Sequence, residues 1–298
     1  MAAGPIESTL GPPRVAIPHG VMRDGALIRE LRLTPVAGDD QAFLLDTAES
    51  LTPGERANVL LERCLDEDEP ATLVSSLVAG DREALLLQLR RLTLGETLDC
   101  VLTCAAPGCG ERMELELRVG ELLVDAYPDV QPTYEIVVDA ADPPLVVRFR
   151  LPTVADLRAA TGTGSDDTEA VVGDLLARCV TGVAGGPDVV AADGLDAEAR
   201  EQIAATMAER DPQAEIELDL ACPSCATPFA VVFDTATYLL QELDARAARL
   251  LEEVHALAFH YHWSEREILA MAPTRRERYL SLLADALRGA DAAEYSAT

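Results

Sequence analysis

Two kinds of hydrophobic pattern divide the chain into predicted helices and predicted strands. Apolar residues recur at steps of three and four in the first kind, whereas apolar and polar residues alternate in the second. Helices are expected at residues 53–64, 81–94, 169–179, 197–210, 237–261 and 274–288. Strands are expected at residues 26–33, 98–104, 113–119, 134–138, 146–151, 216–220 and 229–233. Residues 1–25 show no period and are rich in Pro and Gly, which predicts a loose lead-in.

Capping signals mark where several of these helices begin. Asp81 is expected to cap the helix that starts there. Ser264 and Glu267 form a capping box directly after the long helix predicted at 237–261. The long helix should therefore turn close to Trp263, and Ser264 should restart the chain as a new helix.

Charge and composition exclude several classes of function. The chain has 52 acidic and 24 basic residues, for a net charge of −28, and such an excess repels nucleic-acid phosphates. All the basic residues are Arg, so no chemistry that needs a lysine amine is available. No run of 18 apolar residues and no secretory signal is visible. We expect a cytoplasmic protein with neither nucleic-acid nor membrane partners.

Four of the 7 cysteines carry the clearest chemical signal. Cys104 and Cys109 lie in the turn CAAPGC, and Cys222 and Cys225 lie in the turn CPSC, each between two alternating segments. A pair of such turns is the arrangement in which four thiolates hold a structural Zn²⁺ tetrahedrally. Because 112 residues, 110–221, separate the turns, the two pairs can meet only through the fold. The sequence predicts one structural Zn²⁺ at these four residues.

The other cysteines leave alternatives open. Cys100 shares a strand face with Cys104, so it is either a substitute ligand or a core thiol. Cys64 and Cys179 lie on apolar helix faces and are expected to be plain core residues. The competing interpretation of the four-cysteine pattern is a set of buried thiols without metal. A disulfide is less expected in a reducing compartment.

These patterns predict an α+β fold that is mostly helical, with a small zinc-ribbon-like β unit joining the two halves of the chain. The expected organisation is an N-terminal lead-in (1–50), a helical segment (51–97), a split zinc-ribbon-like unit (98–120 plus 213–234), an inserted α+β segment (121–212) and a C-terminal helical segment (235–298).

No enzyme signature accompanies the cysteines. The chain has no GxGxxG, phosphate-loop or HExxH motif, and four cysteines would leave a zinc ion no open position for substrate. We therefore expect no catalytic residues. The single basic cluster, Arg275, Arg276 and Arg278, follows Trp263 closely. It is either a partner-docking patch or a solvated helix start.

Several segments, in this order, resemble the baseplate hub assembly chaperones of contractile-tailed phages. The segments are GDREALLLQLR (80–90) with TLG (93–95) leading to a cysteine turn, FRLPT (149–153), CPSC (222–225), HYHWSEREIL (260–269) and RRERYL (275–280). The resemblance covers roughly residues 75–288. Related proteins occur in bacterial contractile injection systems.

The resemblance implies a non-enzymatic assembly or structural role with baseplate or hub proteins of a contractile tail as partners. The arginine cluster is hard to attribute to solubility, which the acidic residues already supply, so we expect Trp263, Arg275, Arg276 and Arg278 to bind a partner. The alternative is a zinc-ribbon module that binds nucleic acid or serves transcription, which the negative charge opposes.

Overall fold

The computed structural model describes residues 11–66, 68–70, 72–138, 144–162, 167–184 and 195–296, with side chains to residue 289. Its strands are β1 (Arg14–Arg23), β2 (Ala26–Arg32), β3 (Thr97–Thr103), β4 (Arg112–Arg118), β5 (Tyr134–Val138), β6 (Leu145–Phe149), β7 (Val180–Ala184), β8 (Glu217–Ala221) and β9 (Pro228–Val232). Its helices are α1 (Gly38–Thr47), α2 (Pro53–Cys64), α3 (Leu73–Ser76), α4 (Ala79–Leu94), α5 (Val119–Leu122), α6 (Val154–Thr161), α7 (Thr168–Cys179), α8 (Ala197–Arg210), α9 (Thr235–Ala247), α10 (Leu250–Tyr261), α11 (Glu265–Leu269) and α12 (Pro273–Ser296).

The strands form small, separate antiparallel sheets, and the predicted α+β class is confirmed. In the described residues these are the hairpins β1–β2, β3–β4 and β8–β9 and the three-stranded sheet β5–β6–β7. The chain divides into a first unit of residues 1–34 and 65–235 and a second of residues 35–64 and 236–298. Across the described residues, no helix is both long and apolar enough for a membrane span.

Helix α4 lies deep in the core of the first unit. Its fully enclosed apolar residues are Ala84, Leu85, Leu86, Leu87 and Leu89. The helix begins at Ala79, so the prediction that Asp81 caps it is wrong. Asp81 lies inside the first turn, where its carboxylate accepts hydrogen bonds from the backbone amides of His19 (2.8 Å) and Gly20 (3.0 Å). The side chain that the local sequence predicts as a helix cap therefore binds the backbone of strand β1 instead.

A second apolar core of the first unit lies between the three-stranded sheet and helices α7 and α8. Val147 and Phe149 from β6 and Ile203 from α8 are all fully buried there. Cys179 belongs to this core, as predicted, and burial raises the pKa of its thiol to about 11. This core occupies the segment between the two cysteine turns.

The second unit is helical and contains α1, α2, α9 from Ala236 onward, α10, α11 and α12. Cys64 is buried in it on the inner face of α2, as predicted. Arg56 on the same helix donates to both carboxylate oxygens of Asp244 on α9, at 3.0 and 2.5 Å, and to the carbonyl of Leu44 at 2.9 Å. A buried guanidinium thus ties three helices of this unit together.

Two predicted segments differ from the structure. Residues 14–23 form β1 where loose chain was predicted, because an irregular register between Ala16 and Val21 hides the alternation; residues 1–10 of that segment lie outside the described part. The helix predicted at 237–261 is two helices, α9 and α10. The amide of Arg249 donates a hydrogen bond to the carbonyl of Arg246 at 3.1 Å. This bond spans three residues, so the turn is tighter than an α-helical turn and interrupts the helix.

Candidate metal centre

The first cysteine pair is presented by the turn between β3 and β4. The amide of Cys104 donates to the carbonyl of Glu111 at 2.8 Å and closes the base of the turn. The amide of Cys109 donates to the carbonyl of Ala106 at 3.1 Å. Gly108 and Gly110 have φ of +78° and +61°, so this turn twice uses a conformation that glycine adopts without steric cost. The strands therefore hold both thiols on one short loop.

The second pair is presented by the turn between β8 and β9. The amide of Cys222 donates to the carbonyl of Thr227 at 3.1 Å, and the amide of Ala226 donates to the carbonyl of Cys222 at 2.8 Å. Ala226 has a φ of +56°, so an alanine adopts the left-handed conformation after Cys225. Glycine would adopt this conformation without steric cost, so the turn places an alanine at a position that favours glycine.

The structure brings the four predicted ligands, Cys104, Cys109, Cys222 and Cys225, together. All four sulfur atoms lie within 4.8 Å of one another. The Sγ atoms of Cys104 and Cys225 are 3.7 Å apart, and those of Cys109 and Cys222 are 3.8 Å apart. Four sulfurs bound at about 2.3 Å to one tetrahedral metal ion would lie about 3.8 Å apart, whereas a disulfide requires about 2.0 Å. The donor set and its spacing fit Zn²⁺.

The four thiols differ in their environment. Cys104 and Cys222 are buried, Cys109 is partly exposed and Cys225 is exposed. Hydrogen bonds to the hydroxyl and backbone of Thr227 lower the pKa of Cys225 to about 6. At Cys104, a hydrogen bond from the backbone amide of Ala106 lowers the pKa of the thiol. Burial and the neighbouring thiols outweigh it and raise this pKa to about 12. A cation among the sulfurs would favour the thiolate form at all four positions.

Cys100 lies apart from this group. It faces Leu115 in the β3–β4 ladder and is buried. Among the described residues, the cluster with metal-binding geometry contains the four turn cysteines and omits Cys100. This placement favours the core-thiol interpretation of Cys100.

Of the predicted docking residues, Trp263 lies at the corner where α10 ends and α11 begins, and the arginines lie near the start of α12. His262, with a φ of +57°, ends α10, and the Ser264–Glu267 capping box starts α11 as predicted. The Trp263 ring stacks on Tyr261 at 4.7 Å and meets Tyr279 of α12 edge-on at 4.8 Å. We call Tyr261, Trp263 and Tyr279 the aromatic corner.

The three predicted arginines separate into two groups. Arg275 and Arg278 are exposed, and the Arg275 guanidinium lies over the Tyr279 ring at 5.9 Å. Arg276 is only 2% exposed and turns inward. It donates to Glu253 at 3.0 Å, to Gln41 at 2.6 Å and to the carbonyl of Met271 at 2.9 Å. Arg276 therefore does not face solvent as docking requires, because its own unit uses all of these donors.

The sequence contained the signal for the position of Arg276. Residues 276, 280, 283 and 287 are separated by four, three and four positions, so Arg276 lies on the apolar face of α12. Arg275 and Arg278 are off that face. The helical period therefore predicts that Arg276 points inward and that the other two do not, but grouping the three residues by their charge hid this difference.

A buried polar cluster in the first unit escaped the sequence analysis. His19, Asp81 and Asp211 are each at most 3% exposed. His19 Nε2 lies 3.2 Å from Asp211 Oδ1, off the line of a hydrogen bond, and its ring packs against Tyr127 at 4.4 Å. These residues are distant in sequence, and no spacing rule connects them.

The chain is similar to a known protein family. A family model described as "T4 bacteriophage base plate protein" matches residues 19–238. The matched region covers well over half of the chain and includes both cysteine turns and the segment between them. Neither the curated proteins nor the solved structures give a match.

Proposed function

The chain belongs to the family of T4 bacteriophage base plate proteins, and from this premise we propose that it is a non-enzymatic, zinc-binding factor in the assembly of a baseplate hub. The family match carries the proposal. In this proposal the chain acts by binding, either by holding hub subunits until their partners arrive or by occupying a place in the baseplate of a contractile tail or related injection system. The site of action is the host cytoplasm during assembly.

The first part of the mechanism is a zinc clamp at the four turn cysteines. Hairpins β3–β4 and β8–β9 belong to separate two-stranded sheets, and such hairpins are marginally stable alone. One ion shared by both turns would fix them to each other across the segment between them. Since the unfolded chain offers no preformed site, the binding free energy would contribute directly to folding. The ion would be structural, with no open coordination position for chemistry.

Cys109→Ser and Cys100→Ala test the clamp as a matched pair on one hairpin. Cys109→Ser should reduce bound zinc and increase amide hydrogen exchange in β3, β4, β8 and β9, because a tetrahedral site has lost a ligand. Cys100→Ala should retain the metal. Equal zinc content in the two variants would overturn the assignment of Cys109 as a ligand.

The second part of the mechanism is docking through the aromatic corner and its exposed arginines. The chain has only 1 Trp and 6 Tyr, and the Trp and two of the tyrosines meet at this corner, where each is half-buried. Trp, Tyr and Arg are the residues enriched at binding hot spots. We infer that Trp263, Arg275 and Arg278 contact hub proteins, whereas Arg276 supports the corner from within.

Co-expression with candidate hub proteins tests the function. We expect the wild-type chain to raise the soluble fraction of one hub protein and to co-purify with it. Arg275→Ser/Arg278→Ser should weaken capture, while Arg246→Ser/Arg249→Ser, which removes two other exposed charges from the same unit, should not. Unchanged hub solubility with every candidate would contradict the assembly role. Equal capture by both double variants would reject the docking site alone.

A further inference from the structure

A cleft of about 290 Å³ lies where α8 ends in the first unit. Its walls are mainly apolar and are formed by Pro152, Met207, Ala208, Pro212 and Ala214. The other lining residues are the buried Asp211 and the exposed Glu215 and Glu217. Among the described residues the charged groups that line this apolar cleft are all carboxylates, which suits an amphipathic occupant.

Several features make the cleft electronegative. The C-terminus of α8 carries the negative end of the helix dipole, about half an elementary charge. The buried Asp211 carboxylate, which accepts a hydrogen bond from the amide of Gly80 at 2.8 Å, also lines the cleft. Arg210, the neighbouring cation in sequence, has its guanidinium over the ring of Tyr134 at 5.3 Å.

The two exposed carboxylates are available to a ligand. Within the described part of the chain, the side chains of Glu215 and Glu217 take part in no hydrogen bond or ion pair. Glu217 is the first residue of β8, and the ladder to β9 fixes its backbone opposite Val232. These carboxylates can therefore meet a cation without first breaking an internal contact.

We propose that this cleft receives the side chain of a lysine or arginine from a partner protein. The methylene groups of such a side chain would pack on Met207 and Pro212, and its charged end would lie beside Glu215 and Glu217, as long basic side chains do at apolar surfaces with polar edges. A purely apolar side chain would leave the carboxylates without a counter-charge, and an acidic one would be repelled. The proposal rests on the proposed function, since it assigns a basic chemistry to the surface of one baseplate partner.

Methyl NMR of the full-length chain labelled at methionine tests the cleft with a defined probe. The probe is an acetylated, amidated alanyl-lysyl-alanine tripeptide, and the matched control peptide has norleucine in place of lysine. Loss of one signal in Met207→Leu assigns the reporter methyl. We expect the lysyl peptide to shift the Met207 methyl saturably, the norleucine peptide to bind more weakly, and added salt to weaken only the lysyl peptide.

Paired variants separate charge recognition from general binding. Glu215→Gln/Glu217→Gln should weaken binding of the lysyl peptide by about fivefold, in line with the loss of two exposed ion pairs. Glu114→Gln/Glu116→Gln, on the exposed face of β4, should leave its affinity unchanged. Equal affinity for both peptides, or no saturable shift, would overturn the proposal. Because the peptide requires no hub protein, this result is independent of the hub-capture experiment.

Discussion

Replacing Arg276 with Met would remove a buried cation from the helical unit while keeping an unbranched side chain. Glu253, Gln41 and the carbonyl of Met271 would each lose a charged donor. Breaking a buried ion pair from one side costs about 3–5 kcal/mol, because the remaining charge is left uncompensated. Glu253 retains 22% exposure and can be partly hydrated, so the lower end applies. We expect Arg276→Met to reduce the free energy of unfolding by about 3 kcal/mol.

Trp263 provides the assay because it is the only tryptophan and lies in the same unit. Urea unfolding followed by its fluorescence should show a lower midpoint for Arg276→Met and almost no change for Arg275→Met, whose side chain is exposed. Adding Glu253→Gln to Arg276→Met should recover part of the loss, since the second change removes the unpaired charge. A destabilisation below about 1 kcal/mol, equal to that of Arg275→Met, would refute the reasoning.

Three further changes test other parts of the structure. Gly80→Ala should destabilise the first unit by about 1–3 kcal/mol in thermal unfolding, because the added Cβ would lie 1.9 Å from Asp211 Oδ1; Gly173→Ala, in an uncrowded helix position, should be neutral or stabilising. Burial raises the pKa of Asp81 to about 6 from 3.8, so the folded state binds the extra proton between these values. The stability that this group contributes is present at low pH and is lost as the pH rises through 6. The unfolding free energies of wild type and Asp81→Asn, plotted against pH, should therefore differ in slope between pH 4 and 6. Parallel profiles would contradict this. Ala226→Gly should stabilise the metal-loaded protein by up to about 1 kcal/mol, because glycine relieves the left-handed backbone, and a loss of stability would count against that explanation.

The cysteine turns were predictable because their information is local. Cys104 and Cys222 each follow an alternating strand, and Pro and Gly within a few residues indicate a tight turn. The capping box at Ser264 is local in the same sense, and it appears in the structure as the sequence indicates. The sequence could only suggest that the two turns meet across residues 110–221, and the fold brings them together.

Two of the errors have the opposite character, since their side chains bind partners far along the chain. Asp81 is of a residue type that favours helix caps, yet its carboxylate accepts hydrogen bonds from the backbone of β1, about sixty residues earlier. Arg276 has the charge of a surface residue, yet Gln41 of α1 is among its partners. The break between α9 and α10 falls at Arg249, where the apolar period continues and gives no warning. Local pattern reports helix faces and turns, whereas long-range hydrogen bonds determine the placement of Asp81 and Arg276.

The metal content of the protein purified without chelator tests the central claim most directly. Native mass spectrometry, combined with elemental analysis, should find one zinc per chain, and the ion should be lost under denaturing conditions. Cys222→Ser should bind little or none under the same conditions. A wild-type chain that retains less than about 0.2 zinc, and keeps its stability with strong chelator present, would contradict the zinc clamp.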